Sequence, residues 1–303
     1  MMDIAIIGAG PAGMSAAIYA RRAGLDVTVF EGEMCGGQMV YTPEVENYPG
    51  FAHVSGAELS FSMREQMTAL GAELIEAPVT AVTAGSDYRI TAGGEVYTAK
   101  ALIIANGAKR RKLGIPGEEQ YGGRGVSYCA VCDGMFFKGK TVAVVGGGNT
   151  ALEDALYLAG ICEKVYLIHR RDEFRAQKHL CEKVLAASNI EILYSTVPIE
   201  VRGEARVNAL CVQGAAGEQV LDVSAVFVAI GLSPENEMFA DLVELENGYI
   251  RAGDDMRASR AGVFAAGDTR TKTLRQIVTA AADGAMAATE AEKYVRDLCL
   301  VEK

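Results

Sequence analysis

The residues best placed to do chemistry lie within five positions. Cys129-Ala130-Val131-Cys132-Asp133 spaces two thiols by two residues and sets a carboxylate directly after the second. Two cysteines so spaced can close a small, reducible ring. The CxxC setting commonly lowers one thiol's pKa, so that a thiolate forms near neutrality. Asp133 can carry the proton that dithiol chemistry moves. The competing readings are half a metal site and two inert core thiols. A structural zinc site wants a second pair of ligands. The other five of the seven cysteines, Cys35, Cys162, Cys181, Cys211 and Cys299, are scattered singly and read as small buried hydrophobes. The polar Asp133-Gly134 turn argues against an inert core pair.

Two glycine loops supply the second kind of chemistry. Gly8-Ala9-Gly10-Pro11-Ala12-Gly13 has the form GxGxxG and lies between a strand-like and a helix-like segment. One glycine turns the chain, one admits a pyrophosphate to the backbone, and one lets helix pack on strand. The diphosphate then meets the positive end of the helix. Glu31, 23 residues after Gly8, can accept from both ribose hydroxyls. Gly146-Gly147-Gly148-Asn149-Thr150-Ala151 repeats the pattern as GxGxxA. At the same offset of 23 residues it carries His169, followed by Arg170, Arg171 and Arg175. An acid there would repel a 2′-phosphate, whereas arginines bind one. The first loop is therefore expected to take a free ribose, as in FAD or NAD. The second is expected to take NADP(H), with His169 packing under the adenine. A nicotinamide site, a flavin-type site and a CxxC form a path from NADPH to a protein disulfide, because a flavin exchanges electrons with both partners.

These groups need strands and helices to hold them. Residues 3–7, 12–23 and 26–30 read as a βαβ unit, 57–70 as an amphipathic helix, 73–83 and 88–91 as β-like runs, and 101–105 as a strand. After the linker-like Lys109-Arg110-Arg111-Lys112-Leu113-Gly114-Ile115-Pro116, the pattern restarts. Strands are expected at 141–145, 164–168, 190–194 and 225–230, with helices at 151–159 and about 172–187. An Ala-rich helix at about 275–297 is expected to return to the N-terminal part. The fold class is then α/β, with two Rossmann-like three-layer domains, the second inserted in the first. Residues 1–112 and 240–303 form the outer domain and 113–239 the inner one, with crossings near 112 and 235 that allow a hinge.

Composition sets the outer limits. The chain has 303 residues, is 50% hydrophobic and carries 34 glycines, which suits a globular protein with close backbone approaches. Its net charge of −10 makes nucleic acid and anionic membranes poor partners. No apolar run approaches the ~18 residues of a spanning helix. The opening Met1-Met2-Asp3 has no features of a secretory signal, so a cytoplasmic setting is expected.

The series GAGPAG (8–13), GGQ (36–38), ENYPG (46–50), CAVCDG (129–134), GGGNTALEDALYL (146–158), HRRDEFRA (169–176), AAGD (265–268) and RQIVTAAADG (275–284) resembles the low-molecular-weight, flavin-dependent thioredoxin reductases of the bacterial type. The resemblance spans essentially the whole chain. It implies FAD on the outer domain, at Gly8, Gly10, Pro11, Ala12, Gly13 and Glu31, with Gly37, Val79, Gly107 and Gly267 also lining it. Gln38 and Asn47 are implied to contact the flavin or its ribityl chain, Asp268 the ribityl hydroxyls, and Arg275 with the backbone of Gln276 and Ile277 the flavin pyrimidine. It implies NADPH at Gly146, Gly148, Asn149, Thr150, His169, Arg170, Arg171 and Arg175. Cys132 is implied as the flavin-proximal sulfur, Cys129 as the one exchanging with thioredoxin, and Asp133 as the acid–base residue. Family members are homodimers that swing the inserted domain between two poses. No resident metal is implied.

Some residues depart from that pattern. Asn106 stands where the family usually has Thr, and Met135 where an aromatic is common. Phe136 and Phe137 could give thioredoxin an apolar landing surface or simply pack in the core. The basic run Lys109–Lys112 reads as a solvated linker face, with steering of an acidic partner as the alternative. The leading expectation is transfer of electrons from NADPH through FAD and Cys129/Cys132 to oxidised thioredoxin. The alternative keeps this path but delivers to a thioredoxin-like, glutaredoxin-like or peroxiredoxin-linked partner. A ferredoxin-driven reductase should lack the second glycine loop, and flavin oxidase relatives should lack the CxxC.

Overall fold

A computed structural model describes residues 1–42, 44–215 and 217–301. The side chains of Leu232 and residues 299–301, Cys299 among them, lie outside the described residues. The chain divides into two compact units, Met1–Lys109 with Ser233–Lys303, and Arg110–Leu232. The crossings thus precede those expected near 112 and 235, and the second unit ends before the expected residue 239. Two contacts move the second boundary forward. Phe239 is wholly buried in the first unit's core. Asn236, also buried, donates to the carbonyls of Gly248 and Thr269 at 3.0 Å each.

In the first unit, the strand Met2–Ile7 runs parallel to Val27–Phe30 on one side and Glu95–Ile104 on the other. Glu73–Ile75 and Val263–Ala265 extend the parallel sheet. Successive side chains point to opposite faces. Ile4, Ile6, Val27, Val29 and Ile103 therefore meet the helices Pro11–Arg22, Gly56–Ala69 and Ile277–Val301, while Ala5, Ile7, Phe30, Leu102 and Ile104 meet a second core with Tyr88, Ile90 and Phe239. The expected strand 101–105 is the end of a ten-residue strand. Its first half pairs antiparallel with Tyr88–Ala92. Gly93 and Gly94 make the turn, both with positive φ, 58° and 85°, as a two-residue hairpin of this kind requires.

A capping box opens Gly56–Ala69. Ser55 Oγ accepts the Glu58 N–H, and the Glu58 carboxylate accepts the Ser55 N–H, each at 3.1 Å. The C-terminal helix does return to the first. Ser15 Oγ donates to the Ala281 carbonyl at 2.7 Å. A Cβ on Gly284 would collide with the Ala12 carbonyl, so glycine sets how closely the two helices cross.

The second unit holds five parallel strands in the order Ile190–Leu193, Lys164–Ile168, Thr141–Val145, Val226–Val228, Val126–Ser127. Val142, Val144, Val165 and Leu167 pack with the helix Asn149–Ala159. Ala143, Val145 and Ile168 face a three-stranded antiparallel sheet, Val197–Gly203, Val207–Gly214 and Gly217–Asp222. This sheet is not among the elements expected from the sequence. Each unit therefore has three layers: helices, a mainly parallel sheet and an antiparallel layer.

The helix expected at 172–187 spans only Lys178–Ala186. The preceding turn is held elsewhere, because the Arg175 N–H donates to the Gly147 carbonyl at 2.8 Å. His169 Nε2 also meets the Glu173 carbonyl at 2.9 Å. Arg175 is thus on a loop tied to the glycine motif rather than one helical turn beyond Arg171.

Candidate active site

Cys129 and Cys132 are joined by a disulfide across a single helical turn, Ala130–Asp133. Ala130 anchors the turn in the core formed with Ala151, Leu152, Ala155 and Leu158. Gly134 follows because space runs out: a Cβ there would lie 3.0 Å from Leu158 Cδ2 and Tyr157 Cε1. The Cys132 N–H donates to Cys129 Sγ at 3.2 Å. In the reduced pair this bond favours negative charge on Cys129.

Asp133 is half-buried, and its Oδ2 accepts from Ser127 Oγ at 2.6 Å. Its Oδ1 is buried with no hydrogen-bond partner among the described residues. Burial pushes the carboxyl above its ordinary value, against the opposing pull of the Ser127 bond and the Arg110 charge. Asp154, on the helix beneath the turn, is pushed up to about 7 by burial and by the neighbouring Glu153. Ser127 belongs to none of the motifs read from the sequence, and Asp154 is named there only as part of GGGNTALEDALYL.

The second glycine loop leads into Asn149–Ala159 in this same unit. A Cβ on Gly146 would overlap the Ala229 carbonyl, one on Gly147 the His169 ring, and one on Gly148 would meet nothing within 4 Å. Gly148 therefore leaves room at the helix end, where Asn149 and the exposed Thr150 begin the first turn. Asn149 Oδ1 accepts the Gln177 N–H at 2.8 Å. His169 is buried against Gly147, and its ring lies 5.5 Å from that of Phe174. Burial first, then the three nearby arginines, hold its pKa below the ordinary value. His169 therefore acts as a neutral pin between strand end and loop, with little surface left for an adenine. Arg170 and Arg175 are exposed and Arg171 is half-buried. None of the three pairs with a carboxylate among the described residues.

The other expected residues lie in the first unit with the Gly8–Gly13 loop. Gly8 has φ 101°, and a Cβ on it would lie 2.7 Å from the Ala105 carbonyl carbon. A Cβ on Gly13 would overlap the Gly8 carbonyl, whereas Gly10 meets nothing within 4 Å. Pro11 opens the helix at its first position, where its missing N–H costs nothing. Glu31 Oε2 accepts the Ala9 N–H at 2.7 Å, and Oε1 accepts the Glu33 N–H at 2.9 Å. Gly37 approaches Gly10 Cα, its Cβ position 3.5 Å away. Gln38 follows, exposed, on the 3-10 turn Gly37–Tyr41. Val79 begins its strand beside Pro78, which lies against Gly32.

Residues far apart in sequence meet here. Asn47 Nδ2 donates to Gln276 Oε1 at 3.2 Å. Asn106 Oδ1 accepts from Thr269 Oγ1 at 2.8 Å, and its Nδ2 donates to the Glu235 carbonyl at 3.0 Å, so Asn satisfies the position where Thr was expected. Gly107, with φ 70°, borders open space. Asp268 is half-buried on the turn Gly267–Thr269. The Arg275 guanidinium sits 4.4 Å from the Tyr249 ring centroid. The Gln276 N–H is already given to Thr279 Oγ1 at 3.1 Å, so the helix end offers the Ile277 N–H rather than both.

Asp283, named only as part of a motif, organises this turn. Its Oδ2 accepts from the Gly267 N–H, Arg270 Nε and Lys272 Nζ at 3.0, 2.9 and 2.8 Å. Burial raises its pKa, but the bonds from Arg270 and Lys272 outweigh burial and hold it below the ordinary value.

Three surface features are resolved as well. Phe137 is a core residue, its ring 5.8 Å from Phe227 and edge-on to it. Phe136 and Met135 are exposed next to the dithiol. Lys109 is neutralised by Glu33 and Glu235, and Lys112 by Glu119, which fits the linker reading better than a steering patch. Among the described residues, Glu44, Glu46 and His53 could together offer ligands to a metal. Glu46 and His53 are exposed and Glu44 is half-buried, with His53 Nδ1 2.8 and 3.1 Å from the two carboxylates.

Residues 2–284 match the family described as pyridine nucleotide-disulphide oxidoreductase. The thioredoxin reductase of Listeria monocytogenes is 45% identical over 301 residues, covering 98% of this chain and 94% of that protein. That of Bacillus subtilis is also 45% identical over 301 residues, covering 98% and 95%. The crystal structure of thioredoxin reductase from Streptococcus pyogenes aligns with TM-score 0.93 and 42% identity, over 98% of this chain and 99% of that one.

Proposed function

The chain belongs to the pyridine nucleotide-disulphide oxidoreductase family, and within it we propose that the reaction is reduction of oxidised thioredoxin by NADPH, with FAD and the Cys129–Cys132 pair as carriers. The observation that carries this reading is the second unit itself. It holds a redox dithiol with a carboxyl beside it, and a glycine loop flanked by three arginines that no carboxylate among the described residues occupies.

The residues fit both nucleotides. In the first unit, Gly10 leaves open space at a helix N-terminus, Gly8 and Gly13 permit the close turn, and Glu31 has lone pairs left for a ribose. We assign FAD to this unit, with Gly37, Gln38, Asn47, Val79, Gly107, Gly267, Asp268, Arg275, Gln276 and Ile277 around it. NADPH falls to the second unit, at Gly146, Gly148, Asn149 and Thr150, with Arg170, Arg171 and Arg175 on the 2′-phosphate and His169 supporting the loop from behind. FAD, when bound, supplies two-electron chemistry compatible with both a nicotinamide and a disulfide.

Opening the Cys129–Cys132 bridge takes up two electrons and leaves sulfurs that need a proton, which Asp133 holds at Oδ1. Cys129, stabilised as a thiolate by the Cys132 N–H, is the sulfur that attacks thioredoxin. Cys132 closes the bridge again and releases the reduced partner. We extend the reading to a homodimer in the cytoplasm. No helix among the described residues is long and apolar enough to cross a membrane.

The test is anaerobic NADPH consumption by the purified flavoprotein, with and without oxidised thioredoxin. Multiple turnovers dependent on thioredoxin are expected. Bleaching of the flavin by NADPH with no thioredoxin turnover would refute the partner while leaving the electron path.

A further inference from the structure

Ser127 ends the short strand Val126–Ser127 and is buried two residues before the first cysteine. Its oxygen accepts the Cys129 N–H at 3.1 Å. Its single proton has two acceptors in reach, Asp133 Oδ2 at 2.6 Å and the Cys129 carbonyl at 3.4 Å. The shorter, charge-assisted bond takes it. One hydroxyl therefore ties the backbone at the start of the dithiol turn to the carboxylate at its end. Only Oδ2 is held, since Oδ1 is buried and has no partner among the described residues.

We propose that Ser127 is the positioning residue for proton transfer at the dithiol, clamping Oδ2 of Asp133 so that the proton is taken and given at Oδ1. The proposal rests on the reading of Cys129–Cys132 as a redox pair. In the reduced protein the Cys129 thiolate attacks a disulfide sulfur of the partner, one S–S bond breaks, and a partner thiolate leaves. Cys132 then loses its proton to Asp133 Oδ1 and attacks Cys129 Sγ, breaking the mixed disulfide. The second partner thiolate takes that proton from Oδ1. The dithiol loses two electrons and the partner gains two.

The Ser127 bond favours the carboxylate and so opposes the upward push of burial, as does the charge of Arg110. Glu153 and Asp154 on the helix beneath, and Lys138 beyond the 3-10 turn, are not among the groups that shift Asp133. Removing the hydroxyl should raise the Asp133 titration by about one pH unit, the size of one lost hydrogen bond to a charged group.

The test needs no partner protein. The holoprotein is reduced with dithiothreitol, the reductant is removed, and the rate of alkylation of Cys129 by iodoacetamide is followed against pH by mass spectrometry of its peptide. Wild type should show, beside the inflection of the reacting thiol itself, a second inflection that disappears in Asp133→Asn. Ser127→Ala should move it upward by about one pH unit, and Ser127→Thr should restore it. Ser127→Gly, which also removes the hydroxyl and adds no thiol, should show the same upward move if the alanine variant does not fold. An unmoved inflection, a uniform loss of rate at every pH, or a wild-type profile insensitive to Asp133→Asn would each overturn the proposal. Thioredoxin turnover is measured separately on wild type. Its absence, with the alkylation profile as expected, would remove the thioredoxin reading and leave the role of Ser127 intact.

Discussion

Arg170→Ala combined with Arg171→Ala should separate NADPH from NADH by an amount the structure allows to be worked out. Neither guanidinium pairs with a carboxylate among the described residues, so the double variant breaks no ion pair and leaves no charge orphaned. Arg171 is half-buried, and its carbonyl is pinned by the Ser195 N–H at 2.9 Å. A charge-assisted bond from such a side chain is worth about 1.5–2 kcal/mol. Arg170 is exposed, and a screened contact from it contributes about 0.5–1 kcal/mol. The total is about 2–3 kcal/mol, or roughly 30- to 140-fold at about 1.4 kcal/mol per decade. KM for NADPH should rise by about that factor, while KM for NADH, which lacks the phosphate, should change by less than about threefold. Added salt should weaken NADPH binding in wild type more than in the variant, because the screened charges are gone. Steady-state kinetics with both nucleotides, at two ionic strengths, provides the check. Equal effects on NADPH and NADH would refute the assignment of these arginines to the 2′-phosphate.

Cys132→Ser should leave the flavin reducible by NADPH in stopped-flow absorbance but take thioredoxin turnover to background, and full turnover in this variant would overturn the assigned dithiol path. Gly13→Ala places a Cβ against the Gly8 carbonyl, with the carbonyl carbon 3.0 Å away. It should cost about 1–3 kcal/mol, lower Tm by several degrees and release FAD on gel filtration, and wild-type flavin content would contradict it. Asp283→Asn leaves Arg270 and Lys272 buried without their carboxylate, at about 3–5 kcal/mol, which calorimetry should register as a lower Tm. Because the folded Asp283 titrates below its ordinary value of 3.8, its stabilisation is present above that value and is lost as pH falls through the lower folded one. The stability gap between wild type and Asp283→Asn should therefore close under acid. A gap that stays constant down to the acid limit would show that the triad is not the source.

Much of the architecture is local and can be read along the chain. The βαβ start, the second strand–loop–helix at 141–159 and the returning C-terminal helix follow from apolar periodicity and glycine spacing. What was missed depends on distant partners. The antiparallel sheet from Val197 to Asp222 carries alternation, but only its packing on Ala143, Val145 and Ile168 shows that it closes a layer. The helix expected from 172 begins at Lys178 because Gly147 and His169, both upstream, hold the intervening turn. The boundary near 240 moved to 233 because Asn236 and Phe239 are claimed by the first unit's core.

The sites divide in the same way. Sequence alone determined which chemistry is present: a CxxC followed by Asp, two glycine loops that differ by an acid against arginines, and the order in which they occur. Residue type and short spacing specify these, because a helix N-terminus, a reducible ring and a phosphate-binding fork each form within a few turns of chain. Only the tertiary structure decided how those groups are held. It made His169 a buried pin rather than an adenine platform, joined Asn47 to Gln276, put Asp283 behind the Gly267 turn, and set Ser127 between Cys129 and one oxygen of Asp133. Hydrogen bonds and burial depend on distances in space, and neither a motif nor a period records which side chain a folded loop brings within 3 Å of another.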